Sequence, residues 1–249
     1  MKIAYFTHSL DSCWNHGNAH FLRGVLDELI ERGHQAVAFE PEGAWSLENL
    51  LQDHGPAALE PYHRGYPRLS STRFSADADP ADFAHDADLV IVHEWNDPSL
   101  VARLGTARKR GARFTLLFHD THHRAVSAPE EMKAFDLSGF DGVLAFGETL
   151  SDVYRGWGWE GRVWTWHEAA DTRRFHPPVE ETERSGLVWV GNWGDGEGTE
   201  ELERVRAVMF RELDYHSLVR VRVWRHGALL YDSLPHLPAR LPTFDESPD

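Results

Sequence analysis

Residues 2–39 read KIAYFTHSLDSCWNHGNAHFLRGVLDELIERGHQAVAF, and this stretch decides the fold. Residues 2–7 form an apolar run that predicts a buried strand. After a polar loop, Asn18 stands where it can cap a helix, because the apolar residues behind it recur at three- and four-residue spacing. Gly33 ends that helix, and residues 35–39 read as a second strand. Strand, helix and strand in this order form a βαβ unit, whose crossover requires parallel strands.

The same alternation continues to residue 166. Further strands are predicted at residues 88–93, 113–118, 142–146 and 162–166, and helices at 98–110 and 149–154. Residues 41–80 are weaker, and predict only a short helix at 47–51 followed by a loop. The continuous apolar runs are typical of strands buried on both faces of a parallel sheet. The predicted fold class is therefore α/β, a Rossmann-like doubly wound parallel sheet followed by an incomplete second α/β domain.

The pattern changes after residue 170, so residues 1–170 are assigned to the Rossmann-like domain. Residues 171–185 contain two adjacent prolines and a run of charges, as a linker does. A strand at 186–193, a helix near 200–212 and a strand at 218–224 predict a partial second α/β domain over 186–233. Residues 234–249 carry four prolines and no periodicity, and we expect a disordered tail there.

Charge and composition exclude several classes of protein. The formal net charge of −15 argues against non-specific binding to nucleic acid or to an anionic membrane, since both need clustered Lys and Arg. No run of about 18 apolar residues occurs and the amino terminus lacks a signal peptide, so we expect a cytoplasmic protein without an integral membrane segment. The single cysteine, Cys13, allows neither an intramolecular disulfide nor a thiolate metal cluster.

The polar loops that follow the predicted strands are the candidate sites, because ligands of doubly wound sheets bind at the carboxyl ends of strands. The loop at residues 8–17 precedes a helix amino terminus, where backbone N–H groups favour a phosphate. It holds one glycine, Gly17, rather than the three of a dinucleotide fingerprint, which disfavours a nicotinamide cofactor.

Two further loops carry polar and aromatic side chains. Residues 118–124 read FHDTHHR, but they lack the helical His-x-x-x-His context of a zinc site. These residues either hydrogen-bond a sugar hydroxyl or a diphosphate, or are polar surface histidines. In residues 93–96, Trp95 lies among polar groups. This pattern is typical either of an indole that stacks on the face of a sugar ring or of one that packs under a loop.

Several loose motifs follow one another over about residues 1–200: KIAYF at 2–6, Gly17-Asn18 leading into FLRG at 21–24, residues 29–34, FHD at 118–120, and DTRRFHP at 171–177. In this order they resemble the GT-B glycosyltransferases of the group 1 type. LVWVGNW at 187–193 resembles the first strand of the second domain in relatives linked to spore-maturation proteins.

The resemblance implies transfer of a sugar from a nucleotide-sugar donor to a small-molecule or glycan acceptor held by the first domain, with no resident cofactor and no essential metal. It puts His119 near the transferred sugar, Gly17 near the diphosphate and Glu168 at the interdomain cleft. The implied catalytic residues are His119, Asp120 and Glu168; the implied donor contacts are Gly17, Asn18, Gly191 and Asn192; the implied substrate contacts are His16, His20, Glu94, Trp95, His122 and Arg124.

The second domain departs from the family pattern. Only 66 residues follow Glu183, whereas the family carries a full second domain with two glutamates eight positions apart. Glutamates at that spacing occur here only before this domain, as Glu40/Glu48 and Glu160/Glu168. We therefore expect a truncated or split enzyme with little transferase activity alone, whose partner is a separately encoded donor domain or a second copy of the chain. The alternatives are a non-catalytic module that binds a glycan or small molecule, and a Rossmann-type oxidoreductase.

Overall fold

The structure is a computed structural model that describes residues 1–14, 16–177, 222–225 and 228–232, the last two ranges as backbone only. The chain divides into two units, Met1–His176 and Pro177–Asp249. The predicted linker thus starts within the first unit, and the domain boundaries beyond residue 177 stay a prediction.

The first unit is built on one sheet of seven parallel strands, in the order β3-β2-β1-β4-β5-β6-β7. The strands are β1 (Lys2–Phe6), β2 (Gln35–Pro41), β3 (Ser71–Phe74), β4 (Leu89–His93), β5 (Thr115–Asp120), β6 (Gly142–Ala145) and β7 (Val163–Thr165). With helices in the crossovers, this is an α/β Rossmann-like fold, which confirms the predicted fold class of this part of the chain.

Eight helices connect the strands of this unit. They are α1 (Asn18–Glu31), α2 (Trp45–His54), α3 (Glu60–Gly65), α4 (Pro80–Ala84), α5 (Pro98–Lys109), α6 (Arg124–Ser127), α7 (Pro129–Lys133) and α8 (Glu148–Tyr154). A 3-10 turn at Pro56–Leu59 precedes α3, and a π-turn at Arg155–Trp159 extends α8. None of the helices in the described ranges is long and apolar enough to cross a membrane.

The core lies on both faces of the central strands, because successive side chains of a strand point to opposite faces. On one face, Phe6 of β1 and Val90 of β4 belong to a cluster that includes the apolar side of α5. On the other, Tyr5 and Ile91 pack with Leu22 of α1. Both faces of β1 and β4 are therefore covered, and their polar groups reach solvent only at the strand ends.

Helix α5 approaches the loop before β6 very closely. A Cβ atom on Gly139 would lie 2.2 Å from the backbone oxygen of Gly105, which no side chain tolerates. A glycine at this position therefore lets the layer of α5 pack directly against that loop.

Two local predictions were wrong. Residues 41–80 contain more than one short helix and a loop, since β3 pairs with β2 at the edge of the sheet; its sequence, STRF, is too polar to resemble a buried strand. Asn18 does not cap α1 either. Gly17 is the capping residue, and the Asn18 amide instead donates to Thr121 Oγ1 at 3.1 Å.

In the second unit the structure describes an antiparallel pair, β8 (Arg222–Arg225) and β9 (Ala228–Asp232), with a register irregularity between Val223 and Trp224. The strand predicted at 218–224 overlaps β8. The predictions at 186–193, 200–212 and 234–249 lie outside the described residues.

Candidate functional site

The candidate site lies where β1 and β4 are neighbours, which is the point at which the strand order reverses. His8 comes two residues after β1, and His93 is the last residue of β4. His119 belongs to β5, where it is the register partner of His93. The parallel register thus brings three histidines from separate parts of the chain to one edge of the sheet.

Four imidazole rings lie in a row along this edge of the sheet. The ring centroids are 4.5 Å apart for His8 and His16, 5.7 Å for His8 and His93, and 5.6 Å for His93 and His119. We call these four residues the histidine row.

The histidine row is neutral at pH 7. Burial lowers the pKa of His8 to about 3, with a further contribution from His16, and lowers the pKa of His16 to about 4. Burial likewise lowers the pKa of His119 to about 3 and that of His93 well below its usual value. A neutral imidazole offers one hydrogen-bond donor and one acceptor, so these side chains match hydroxyl groups better than anions.

His93 is fully engaged within the protein. Its Nδ1 accepts from the backbone N–H of Trp95 at 3.3 Å, which places the proton of the neutral ring on Nε2. That nitrogen donates to Thr121 Oγ1 at 3.2 Å, and the threonine hydroxyl donates in turn to Glu94 Oε1 at 3.0 Å. His93 therefore orders the loop after β5 and has no free nitrogen for a ligand.

His119 keeps one nitrogen available. Its Nδ1 is hydrogen-bonded to the hydroxyl of Tyr5, and within residues 1–14 and 16–177 its Nε2 has no partner. The ring is fully buried beside Trp166, with centroids 4.8 Å apart, and Phe21, at 5.9 Å. A buried nitrogen without a partner costs free energy, which makes it a position where a ligand hydroxyl would be stabilising.

Glu94 and Arg124 form a buried ion pair beneath the loops. Glu94 Oε2 lies 2.8 Å from Arg124 Nη2, and the glutamate side chain is completely shielded from solvent. The Arg124 guanidinium also lies over the Trp95 ring, 4.1 Å from its centroid. The positive charge of Arg124 is thus committed to the protein's own groups.

Two carboxyl groups near this ion pair are protonated more readily than usual. Burial, and then the charge of Glu94, raise the pKa of Asp120 to about 7 and that of Glu168 to about 7. Asp120 is fully buried and accepts from the Tyr154 hydroxyl at 2.8 Å and from the His122 N–H at 3.1 Å. Glu168 is only half-buried, and its Oε1 is a buried atom with no partner among the described residues.

Most of the residues that the sequence singled out lie at this edge: His16, Asn18, Glu94, Trp95, His119, Asp120, His122, Arg124 and Glu168. Gly17 is exposed between His16 and Asn18. His20 is exposed on α1, where it lies 5.9 Å from Phe175 and hydrogen-bonds the Cys13 thiol. Gly191 and Asn192 lie outside the described residues. The roles of all these residues stay predictions.

The sequence analysis placed His8, His93 and Thr121 in candidate loops but gave them no role, and it did not select Tyr5 or Trp45; all five build the site. His8 and His93 stand at strand ends, so the reasoning that selected His119 applies to them as well. Trp45 gave no such signal, because it lies in the weakly patterned stretch after β2.

The described residues include no group of three or more His, Cys, Asp or Glu side chains arranged to hold a metal ion.

Comparison with known proteins gives a weak structural likeness. No protein-family model and no curated protein matches the sequence. A solved structure described as an alpha-glucosyltransferase in complex with UDP and a 13-mer DNA containing a central A:G mismatch aligns with 59% of this chain at 10% identity and a TM-score of 0.36. The alignment spans 37% of that chain. No sequence match supports the finer assignment to the group 1 or spore-maturation type.

Proposed function

We propose that this chain is the acceptor-side part of a glycosyltransferase, which binds a sugar or other hydroxyl compound at the carboxyl ends of β1, β4 and β5. The Glu168 carboxylate takes the proton from the hydroxyl that attacks the donor sugar. The observation that carries the proposal is the state of Glu168: it is half-buried, its Oε1 has no partner in the described part of the chain, and its pKa is raised to about 7.

A general base works best when its pKa lies near the working pH. In the proposed step the acceptor oxygen forms a bond to the anomeric carbon of a nucleotide sugar, and the bond from that carbon to the phosphate oxygen breaks. The acceptor proton passes to Glu168, and the nucleoside diphosphate leaves with the electron pair. The other carboxylates at this edge are less suited to this role, because Glu94 is paired with Arg124 and Asp120 is held by Tyr154.

His119 suits a positioning role in this reaction. Its Nδ1 is tied to Tyr5, so the ring orientation is set before a ligand arrives. Burial, and then the charge of Glu168, raise the pKa of the Tyr5 hydroxyl. This proximity of Glu168 to Tyr5 supports a site that includes both Glu168 and His119 Nε2. The donor contacts at Gly191 and Asn192 lie outside the described residues, so the proposal concerns the acceptor side alone.

Saturation-transfer NMR on the whole chain tests acceptor binding, with neutral mono- and oligosaccharides as probes. We expect saturable binding that weakens several-fold at pH 8 in Glu168→Gln. Binding is expected to be unchanged in Glu160→Gln, which replaces an exposed glutamate just before β7. Absence of saturable binding across the panel contradicts the proposal, as does equal binding by the two variants.

The transfer step is tested by release of nucleoside diphosphate from a panel of nucleotide sugars in the presence of a bound acceptor. Loss of a general base lowers a rate by roughly 10²–10⁴-fold, so any transfer activity is expected to fall by at least about a hundredfold in Glu168→Gln. Transfer that is unaffected by this substitution excludes Glu168 as the base.

A second candidate function is a non-catalytic module that binds the same class of acceptor. It is favoured by the complete burial of His119 and Asp120, which keeps two of the three predicted catalytic groups away from solvent. Saturable sugar binding without nucleotide release from any donor identifies this second function.

The oxidoreductase alternative is less well supported. In Rossmann dehydrogenases an acidic residue after the second strand binds the ribose hydroxyls. Of the two acidic residues at the end of β2, Glu40 is buried and accepts from the Leu10 N–H at 2.8 Å and from the Ser71 hydroxyl, whereas Glu42 is exposed. Glu40 thus holds the loop after β1 and is not available to a cofactor.

A further inference from the structure

Two exposed indoles beside the histidine row have no part in the proposed proton transfer. Trp45, at the start of α2, is 44% exposed, and Trp95, after β4, is 41% exposed. Both lie next to His8: the Trp45 ring is 6.0 Å from the imidazole centroid, and the Trp95 ring is 6.4 Å from it. Exposed aromatic faces beside buried polar atoms are the usual composition of a site for a small ligand.

The polar atoms next to these indoles need hydrogen-bond partners. His8 is buried, and its Nδ1 has no partner in the described part of the chain. The His16 ring lies 4.5 Å from that of His8 and 6.0 Å from that of Trp45. A hydrogen bond to the Ser12 backbone leaves His16 one buried nitrogen without a partner in the described part of the chain. Because each neutral imidazole can donate one hydrogen bond and accept another, this pair fits a ligand that carries several hydroxyls.

The surrounding charges disfavour an anionic ligand. Burial keeps His8 and His16 uncharged at pH 7 by lowering the pKa of each. Arg124 is paired with Glu94, and Arg23 donates to the backbone oxygens of Leu10 and Asp11. A phosphate placed here would gain no free cation from these arginines and would lie near the Glu94 carboxylate.

Both indoles are held in place before a ligand binds. The Arg124 guanidinium covers one face of Trp95, and the His122 ring meets it edge-on at 5.4 Å. Trp45 packs edge-on against Trp14 at 5.9 Å, and Trp14 is anchored by its Nε1–H to Asp53 at 3.0 Å. A preorganised aromatic surface loses little conformational entropy on binding.

The relative tilt of the two indoles separates a sugar ring from a flat base. The Trp45 ring is inclined by 14° to the His8 ring, whereas the Trp95 ring is inclined by 57° to it. The two indoles are therefore not parallel and do not form a clamp for a planar nucleobase. A puckered pyranose presents C–H groups in several directions and can contact both.

We propose that Trp45 and Trp95, together with His8 and His16, form the subsite for the ring of an uncharged sugar. This inference rests on the proposed function, because it assigns one ring of the sugar acceptor to the side of the site near α2. The two indoles are then specificity-determining residues for a neutral pyranose.

The test uses the whole chain labelled with 5-fluorotryptophan, whose ten tryptophans give separate ¹⁹F NMR signals that single Trp→Phe variants assign. The probes are methyl pyranosides of glucose, galactose, mannose and N-acetylglucosamine and their linear oligomers, the corresponding sugar 6-phosphates, inorganic pyrophosphate and uridine. We expect a neutral sugar to shift the Trp45 and Trp95 signals. The Trp164 signal is the control, since this residue is 50% exposed on the edge strand β7.

Affinities of variants complete the test. Trp95→Leu is expected to weaken sugar binding about tenfold, as the loss of one aromatic contact does, whereas Trp95→Phe retains most of the affinity and Trp164→Phe all of it. Sugar binding that leaves both indole signals unmoved overturns the inference but not the proposed function. Tighter binding of the 6-phosphates, pyrophosphate or uridine at these indoles also overturns it. Absence of any sugar binding contradicts both.

Discussion

At the scale of single residues, the raised pKa of Glu168 predicts how the stability of the protein changes with pH. A carboxyl group whose pKa is raised on folding destabilises the protein above its unfolded pKa, and the full cost is present above its folded pKa, here about 7. Glu168→Gln removes that cost. We therefore expect the variant to be more stable than the wild type at pH 8, by about 1–2 kcal/mol after discounting for partial exposure, and equally stable near pH 4.5.

Thermal unfolding of both proteins at pH 4.5 and pH 8 checks this prediction, with Glu160→Gln as the control that changes nothing at either pH. A loss of stability at pH 8 in Glu168→Gln would mean that the carboxylate has a stabilising partner. A gain in stability together with a loss of function is the behaviour expected of a residue kept for its chemistry.

The limits of sequence-based prediction are also clearest at single residues. His119 and Asp120 were found because they end an apolar strand, and His8 and His93 could have been found in the same way. Contacts between distant segments gave no such signal. Glu94 and Arg124 are 30 positions apart, and their pairing depends on the register of β4 and β5.

At the scale of elements, the segment after β7 is fastened to α1 by one arginine. Arg173 bridges the acidic side of the helix: its guanidinium lies 3.4 Å from Asp27 and 2.9 Å from Glu31. It also pairs with Asp171 at 2.9 Å and donates to the backbone oxygen of Gly24 at 3.2 Å. Glu168 lies just before this segment, so the fastening limits the freedom of the proposed base.

We predict that Arg173→Gln loosens residues 168–176 without unfolding the sheet. Single exposed ion pairs contribute about 0–1 kcal/mol, so the loss of this small network is expected to cost about 1 kcal/mol. Hydrogen exchange measured by mass spectrometry should show faster exchange in residues 168–176 and unchanged exchange in β1 and β4. Arg32→Gln is the matched control, because Arg32 pairs with Glu28 alone at 2.7 Å. Equal protection of the segment in both variants would contradict the prediction.

The elements themselves were predictable to different degrees. Central strands such as β1 and β4 were found because burial on both faces gives a continuous apolar run. The edge strand β3 was missed because a strand with one neighbour tolerates exposed, polar side chains. Trp45, at the start of α2, lies in the same weakly patterned stretch after β2. The sequence analysis therefore missed both the edge strand and this indole of the site.

At the scale of the whole molecule, the histidine row makes the fold sensitive to acid. A histidine whose pKa is lowered on folding favours the unfolded chain once the pH falls below the unfolded pKa of about 6.5. His8, His16, His93 and His119 are all neutral in the folded protein, so the unfolded chain binds one more proton than the folded chain at each of them in this range. Asp120, Glu168 and Glu40 act in the opposite sense, because burial raises the pKa of these carboxyls and their protonation as the pH falls relieves a cost of folding.

The four histidines outnumber the three carboxyls, so we predict a net loss of stability of about 1–2 kcal/mol between pH 6.5 and pH 5. Urea unfolding at pH 7.5, 6.5 and 5 measures this difference. The net charge of −15 alone predicts the reverse, since acid reduces the mutual repulsion of the carboxylates. The sign of the change therefore decides which effect dominates, and a steady gain in stability towards pH 5 would contradict a buried neutral row. His8→Asn should reduce the acid sensitivity. His54→Asn, at the exposed last residue of α2, should leave it unchanged, which would attribute the effect to the site and not to the many surface histidines.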